Sequence, residues 1–372
     1  MALKFAIAGG GTGGHVTPAL ALGEALSQRG DQALFIGSDQ GIETRLVPEA
    51  GFELVALPSR QVMGRGVLGR VLGVFAILRA VGGARRSLRE FGADAVISVG
   101  GYAAMPASIA AVMSRKPLFL VAPDAVPGRV ARLSARFARI VFTGFEAARQ
   151  HLGTAGSRED GVRCLGVPLR RALTDEFRDE GPRRTPAAPF RLLVFGGSRG
   201  ARQINEAMMA ALPQLKELSI EVVHQSGADD RDRVAAAYVE HGVRATVVAF
   251  ESNMPARYRW ADLAICRAGA LTVAELTLAG LPAVVIPYPF AADDHQTANA
   301  RELELAGAAQ LLQSLGLAGE HAELLFEAIA TLLASPQTLV AMSAAALKRA
   351  RPDAARRIVD ECAHSLGSDG GS

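Results

Sequence analysis

The chain has 372 residues, 49% apolar and 21% charged, which excludes a disordered protein and leaves room for two domains. Its three cysteines, Cys164, Cys266 and Cys362, are far apart, with neither zinc-ligand spacing nor a disulfide framework, and they fit a reducing compartment. The net charge of +3 is uneven: residues 1–165 hold 19 Lys and Arg against 12 Asp and Glu, and residues 166–372 hold 21 against 25, so the first half suits an anionic surface or partner.

The first element is an apolar strand, Phe5 to Ala8, followed by a glycine turn, Gly9 to Gly14, and a helix. Lys4 at the strand's start argues against a signal peptide. Thr17 is expected as N-cap and Pro18 at the first helical position, with Ala19, Leu20, Leu22, Ala25 and Leu26 facing a core. A strand, glycine turn and helix opening form an anion site, because bare backbone lets oxygen atoms approach the free N–H groups. Gly9, Gly11 and Gly14 fit G-x-G-x-x-G. A dinucleotide site also wants an acid closing the second strand, and here Gln32 to Ile36 runs into Gly37 and Ser38. A different nucleotide or a ligand-free turn are the alternatives; His15, directly after the glycines, has no use in a dehydrogenase.

Phe52 to Leu57 reads as a strand. From Leu54 to Arg89 there is no acid, but Arg60, Arg65, Arg70, Arg79, Arg85, Arg86 and Arg89 are present, and Val67, Val71, Phe75, Leu78 and Val81 recur at helical spacing. The pattern fits a helix resting on an anionic bilayer or a core helix with solvated arginines; the lack of acids favours the membrane patch, with Arg70, Phe75, Leu78, Arg79, Arg85 and Arg86. No run of 18 apolar residues predicts a spanning helix. A second strand, glycine turn and helix occupies 95–111, Pro117 to Val121 and Ile140 to Thr143 are strands, and Phe177 to Pro189 is a charged, proline-rich loop.

The second half restarts the pattern: strand Arg191 to Phe195, turn 196-GGSRG-200, and a helix. Strands follow at Glu221 to Val223, Ala245 to Ala249, Ala261 to Cys266 and Leu281 to Pro287; the turn 267-RAGA-270 leads a helix, and His295 opens another. Two such successions predict two doubly wound, Rossmann-like α/β domains facing a cleft. Alanine-rich helices (322–333 and 339–349) and a disordered-looking tail, GSDGGS, close the chain.

Thr272 and Glu275 fit a capping box, or Glu275 accepts hydrogen bonds from a ribose diol. Asp293 or Asp294 would be ordinary N-caps, and His295, Gln296 and Asn299 beside them suit sugar hydroxyls. H-E-x-x-H, G-x-S-x-G and G-x-x-x-x-G-K-[ST] are all missing, which argues against a zinc protease, a serine hydrolase and a P-loop ATPase.

In order along the chain, GGGTGGHVTPALAL, SVGGYAAMPASIAA, GGSRGARQIN, HQSG, RAGALTVAE and PYPFAADDHQTANA resemble the MurG family of peptidoglycan glycosyltransferases, from Ala6 to about Arg349. The resemblance implies a GT-B fold. An acceptor domain would span 1–165, with a C-terminal helix at about 346–366 packing back on it. A donor domain would span 166–345, and the tail 367–372 would be disordered. It implies inverting transfer of N-acetylglucosamine from UDP-N-acetylglucosamine to the 4-hydroxyl of undecaprenyl-linked lipid I, at the cytoplasmic face of the plasma membrane. Contacts with other cell-wall synthesis proteins are implied; nucleic acid and a bound metal or cofactor are not. By position, Thr12, Gly13, Gly14 and His15 match the turn beside the donor, and Arg170 the arginine after the hinge. Ser198 matches the diphosphate serine, Gln296 the sugar-reading glutamine, and Ala270, Leu271, Thr272, Val273, Ala274 and Glu275 the uridine and diphosphate segment. Where the family has H-E-Q-N, this chain has Val121, Ala122, Pro123 and Asp124, and Glu251 replaces an apolar residue that supports the uracil. Asp124 or His15 is then the candidate base. The rival readings are another acceptor, a nucleotide-sugar epimerase, and a UDP-sugar-binding protein without a base.

Overall fold

The computed structural model describes residues 2–58, 67–153, 161–197, 200–313 and 318–367, with backbone only for 67–75 and 318–321. Ser198, Arg60, Arg65, the side chains of Arg70 and Phe75, and the tail from 368 lie outside the described residues.

Two compact units divide the chain: Met1–Ala172 with Arg351–Ser372, and Leu173–Ala350. The first holds β1 (Lys4–Ala8), α1 (Gly13–Arg29), β2 (Gln32–Ser38), α2 (Glu43–Glu49), β3 (Glu53–Leu57), α3 (Val67–Phe91), β4 (Ala95–Ser98), α4 (Met105–Met113), β5 (Leu118–Ala122), α5 (Arg129–Ala135), β6 (Ile140–Thr143) and β7 (Val162–Cys164). Its strands are parallel, in the order β3-β2-β1-β4-β5-β6-β7. The period of two along β1 sends Phe5 and Ile7 into one core layer and Ala6 and Ala8 into the other. Burial on both faces explains why these strands read as continuous apolar runs.

After α6 (Arg171–Phe177), the second unit holds β8 (Phe190–Phe195), α7 (Arg202–Leu215), β9 (Ile220–Gln225), α8 (Arg231–Glu240), β10 (Ala245–Val248), α9 (Met254–Trp260), β11 (Leu263–Cys266), α10 (Ala270–Leu278), β12 (Ala283–Val285), α11 (His295–Leu305), β13 (Ala309–Leu311), α12 (Ala318–Ala334) and α13 (Pro336–Arg349). Its parallel order is β10-β9-β8-β11-β12-β13. In each unit the strand order reverses beside the first strand, at β1/β4 and at β8/β11, which is where open α/β sheets hold ligands.

The unit boundaries fall later than the 165/166 and 345/346 read from sequence. Residues 166–170 stay with the first unit because Val167 packs on Gly144 and Arg170 is tied to α1, while Gly166 (φ +96°) lies against Arg351. The helix expected at about 346–366 is divided between two elements. α13 ends at Arg349 and buries Leu339 and Met342 in the second unit, whereas α14 (Ala354–Gly367) buries Ile358, Val359 and Cys362 in the first. Pro352 separates them, and each buried aliphatic side chain stabilises its unit by about 2 kcal/mol.

Candidate functional site

On the first unit, α1 begins five residues earlier than its proline suggests. Thr12 is the N-cap, in extended conformation (φ −135°, ψ 159°), and Gly13 and Gly14 are already helical. Pro18 therefore sits inside the helix, where it supplies no N–H to the Gly14 carbonyl. This places His15 in the first turn, with Thr12 Oγ1 3.0 Å from its Nδ1. The imidazole lies against the turn after β4: a Cβ on Gly101 would sit 3.2 Å from the ring Cγ. Gly101 has φ +76°, so glycine is required there for both reasons. Tyr102, 42% exposed, follows on the same edge and was not singled out from sequence, because nothing in its local pattern marks it.

Asp124 follows β5 and is partly buried, while Ala122, where the family pattern has Glu, is buried at the strand end. Because β1, β4 and β5 are neighbours, Thr12, His15, Tyr102 and Asp124 share one edge of the sheet. Arg170 donates from Nε to Glu24 Oε1 at 2.5 Å, and Glu24 Oε2 accepts the Arg171 N–H at 2.9 Å. The arginine is thus anchored to α1.

On the second unit, α10 begins at Ala270 with Gly269 as N-cap. Thr272 is then the third helical residue and Glu275 the sixth, so the capping box read from sequence does not form. The N–H groups of Ala270, Leu271 and Thr272 head the helix, where an anion is favoured. Val273 is buried, and Ala274 and Glu275 are partly so. Glu275 Oε2 accepts the Tyr258 hydroxyl at 2.6 Å. Burial pushes the Glu275 carboxyl up to about 7, against the opposing pull of that hydrogen bond.

Arg267 ties the surrounding turns together. Its Nη1 donates to the Ile286 and Pro287 carbonyls at 3.0 and 2.8 Å, and its Nη2 to Gln203 Oε1 at 3.1 Å. The guanidinium lies 5.5 Å from the centroid of the Tyr288 ring, and burial pulls it down to about 10. Gln296 Oε1 accepts the Tyr288 N–H at 2.9 Å, and buried Asn299 donates to the Ala268 carbonyl at 3.0 Å. These contacts bring 267–270, 287–288 and the start of α11 together.

Asp293 and Asp294 are not ordinary N-caps. Both have positive φ (54° and 52°), and Asp294 accepts from Thr297 Oγ1 at 2.6 Å rather than from helix N–H groups. Non-glycine residues in that region are strained, so the turn's shape is imposed by its surroundings. His295 Nδ1 lies 2.8 Å from the Ala292 carbonyl. Glu251 is occupied by its own turn: Oε1 accepts the Asn253 N–H at 2.9 Å and Oε2 the Arg257 Nε–H. Partial burial opposes its charge, but those bonds prevail and hold the carboxyl below the usual range. Exposed Phe250 is its neighbour. Among the described residues no group of three or more His, Cys, Asp or Glu could hold a metal ion.

Two parallel-sheet units in one chain, each with a glycine turn and helix N-terminus at its switch point, have the GT-B glycosyltransferase fold. The chain matches the glycosyltransferase family 28 N-terminal domain over residues 5–143 and the family 28 C-terminal domain over residues 191–358. It is 42% identical over 363 residues to the UDP-N-acetylglucosamine–N-acetylmuramyl-(pentapeptide) pyrophosphoryl-undecaprenol N-acetylglucosamine transferase of Geobacter sulfurreducens, covering 96% of this chain and 98% of that one. The enzyme of the same name from Alkalilimnicola ehrlichii is 42% identical over 366 residues, covering 97% and 99%. The crystal structure of Acinetobacter baumannii MurG superposes with a TM-score of 0.79 at 31% identity, covering 97% of this chain and 99% of that one. The chain belongs to glycosyltransferase family 28, among the MurG transferases.

Proposed function

We infer that the protein transfers N-acetylglucosamine from UDP-N-acetylglucosamine to lipid I, the undecaprenyl-linked pyrophosphoryl MurNAc-pentapeptide, forming lipid II for peptidoglycan. The observation that carries this reading is identity at the 42% level along nearly the whole of both chains, through both units. The acceptor 4-hydroxyl attacks the anomeric carbon, the bond from that carbon to the diphosphate breaks, and UDP leaves with inversion. The α10 N-terminus would stabilise the leaving diphosphate, and Glu275 would accept the ribose diol.

His15 is the better placed candidate for the base, because Thr12 orients its ring as a third group orients a catalytic histidine. Asp124 is the alternative. Arg170, Gln296 and Ser198 are assigned to donor contacts by the family pattern alone. Glu251, held by Asn253 and Arg257, would shape its turn rather than reach a base.

No single helix among the described residues is long and apolar enough to cross a membrane. We propose peripheral attachment to the anionic cytoplasmic face through α3, where Leu78 is 60% exposed and Arg79, Arg85 and Arg86 are exposed. Exposed Ile109, Val112 and Met113 on α4, which packs on α3, would extend that surface. Membership of family 28 sets the epimerase reading aside, and the 121–124 segment keeps another lipid acceptor as the second reading.

The deciding experiment follows transfer of labelled N-acetylglucosamine to a soluble lipid I analogue, with UDP release in parallel. Matched transfer and release are expected. UDP binding without transfer would overturn the assigned acceptor.

A further inference from the structure

We propose that Glu43 is the positioning residue of the glycine turn that carries Thr12 and His15. The proposal rests on the reading of the first unit as the acceptor half of a transferase.

Glu43 opens α2 and has no exposed surface. Its Oε2 accepts the Gly11 N–H at 2.9 Å and its Oε1 accepts the Ser38 N–H at 2.8 Å. One carboxylate therefore joins the turn after β1 to the end of β2. A buried carboxylate is costly unless its oxygens are hydrogen-bonded, and bonds to a charged acceptor are the stronger kind.

Three glycines make the room. A Cβ on Gly10 would stand 2.1 Å from Glu43 Oε1, one on Gly41 2.0 Å from Oε2, and one on Gly37 2.8 Å from Cγ. These glycines serve the carboxylate, whatever ligand the turn takes. The held residue, Gly11, has φ +88° and directly precedes Thr12, whose hydroxyl meets His15. The sequence of contacts runs from Glu43 to the Gly11 N–H, then along the chain to Thr12, then to the imidazole. It also accounts for the missing acid at the end of β2. The acid of this unit comes five residues after Ser38 and turns inward to the first turn.

The test compares the full-length wild type with Glu43→Gln and Glu43→Asp. Glutamine sets an NH2 against one of the two N–H donors. Aspartate keeps both oxygens but is one methylene short. The readouts are kcat and KM with the soluble acceptor varied, UDP affinity, the pH titration of the His15 ring by NMR, and amide exchange of Gly11 in the wild type. In both variants kcat is expected to fall about 10- to 100-fold, as for a small misplacement of a reacting group, while UDP affinity holds within about twofold. The His15 titration shifts in both variants, and the Gly11 amide is protected in the wild type.

A folded Glu43→Gln enzyme with kcat, acceptor KM and His15 titration all within about twofold of wild type overturns the proposal. So does a variant that loses only active protein, with KM and titration unchanged. If Glu43→Gln does not fold, Glu43→Asp is read by the same criteria, and a Gly11 amide exchanging at open-loop rate overturns the proposal by itself. If the wild type does not transfer, the assigned function fails, while the titration and the exchange still decide the role of Glu43.

Discussion

Tyr258 donates its hydroxyl proton to Glu275 Oε2 across 2.6 Å, from a ring with no exposed surface. The preceding residue, Arg257, donates to Glu251. Two consecutive positions of α9 thus hold two acids of the second unit, in opposite electrostatic states. Glu251 is kept below its usual range, while Glu275 is raised to about 7.

UDP affinity should therefore depend on pH through Glu275. On the ribose reading, its carboxylate would accept two hydrogen bonds from the diol; protonated, it would lose part of that capacity. Affinity is expected to rise as pH increases through about 7 and to level off above, with Glu275→Gln weak and flat across the range. Tyr258→Phe removes a hydrogen bond that favours the charged form, so its transition moves to higher pH. Calorimetric titration with UDP reads both effects; a pH-independent wild type would discard the ribose assignment.

Buried His224 gives the second unit a separate acid sensitivity. Its Nδ1 is 3.0 Å from the Tyr238 hydroxyl and its Nε2 3.0 Å from Asn205 Oδ1, and burial lowers it to about 3. A histidine depressed in the folded state contributes stability that is present above about 6.5 and lost as pH falls towards 3. The loss should reach the order of 3 kcal/mol between about pH 6.5 and 4. Glu275 acts with the opposite sign. Its raised value adds stability below about 4.5 that disappears as pH rises through about 7. Urea unfolding across pH should show a shallower acid loss in His224→Gln than in the wild type.

Separate substitutions at His15 and Asp124 identify the base. We expect His15→Gln to lower kcat by about 10²- to 10⁴-fold with UDP affinity unchanged, and Asp124→Asn to lower it by less. Thr12→Val should cost about tenfold, because the ring loses the group that orients it. Asp124→Asn as the more damaged enzyme would reverse the assignment.

Membrane attachment should depend unequally on the arginines of α3. Arg86 already pairs with Glu90 at 2.7 Å, which offsets part of its field. Arg79→Ser and Arg85→Ser should each weaken sedimentation with anionic vesicles about fivefold, near 1 kcal/mol per cation, and Arg86→Ser less. Binding by the triple variant equal to wild type would remove α3 from the attachment surface.

The division between sequence and structure is plainest at the glycine turns. The chain alone determined two parallel α/β units, because apolar strands buried on both faces and glycine turns leading into helices are local patterns. It also determined the family, since RAGALTVAE and DDHQTANA are contiguous. Helix starts were misread for a local reason too: Thr17-Pro18 and Thr272-x-x-Glu275 imitate caps, while the real caps are Thr12 and Gly269. What only the tertiary structure decided was which distant groups share a site. Glu43 shows no signal of its own, because its partners are backbone N–H groups and its room is made by Gly10, Gly37 and Gly41. Tyr258 likewise meets Glu275 only once α9 and α10 stand beside each other. A backbone donor has no side chain to reveal it in the sequence, and burial, which sets the charge of Glu275 and His224, depends on packing.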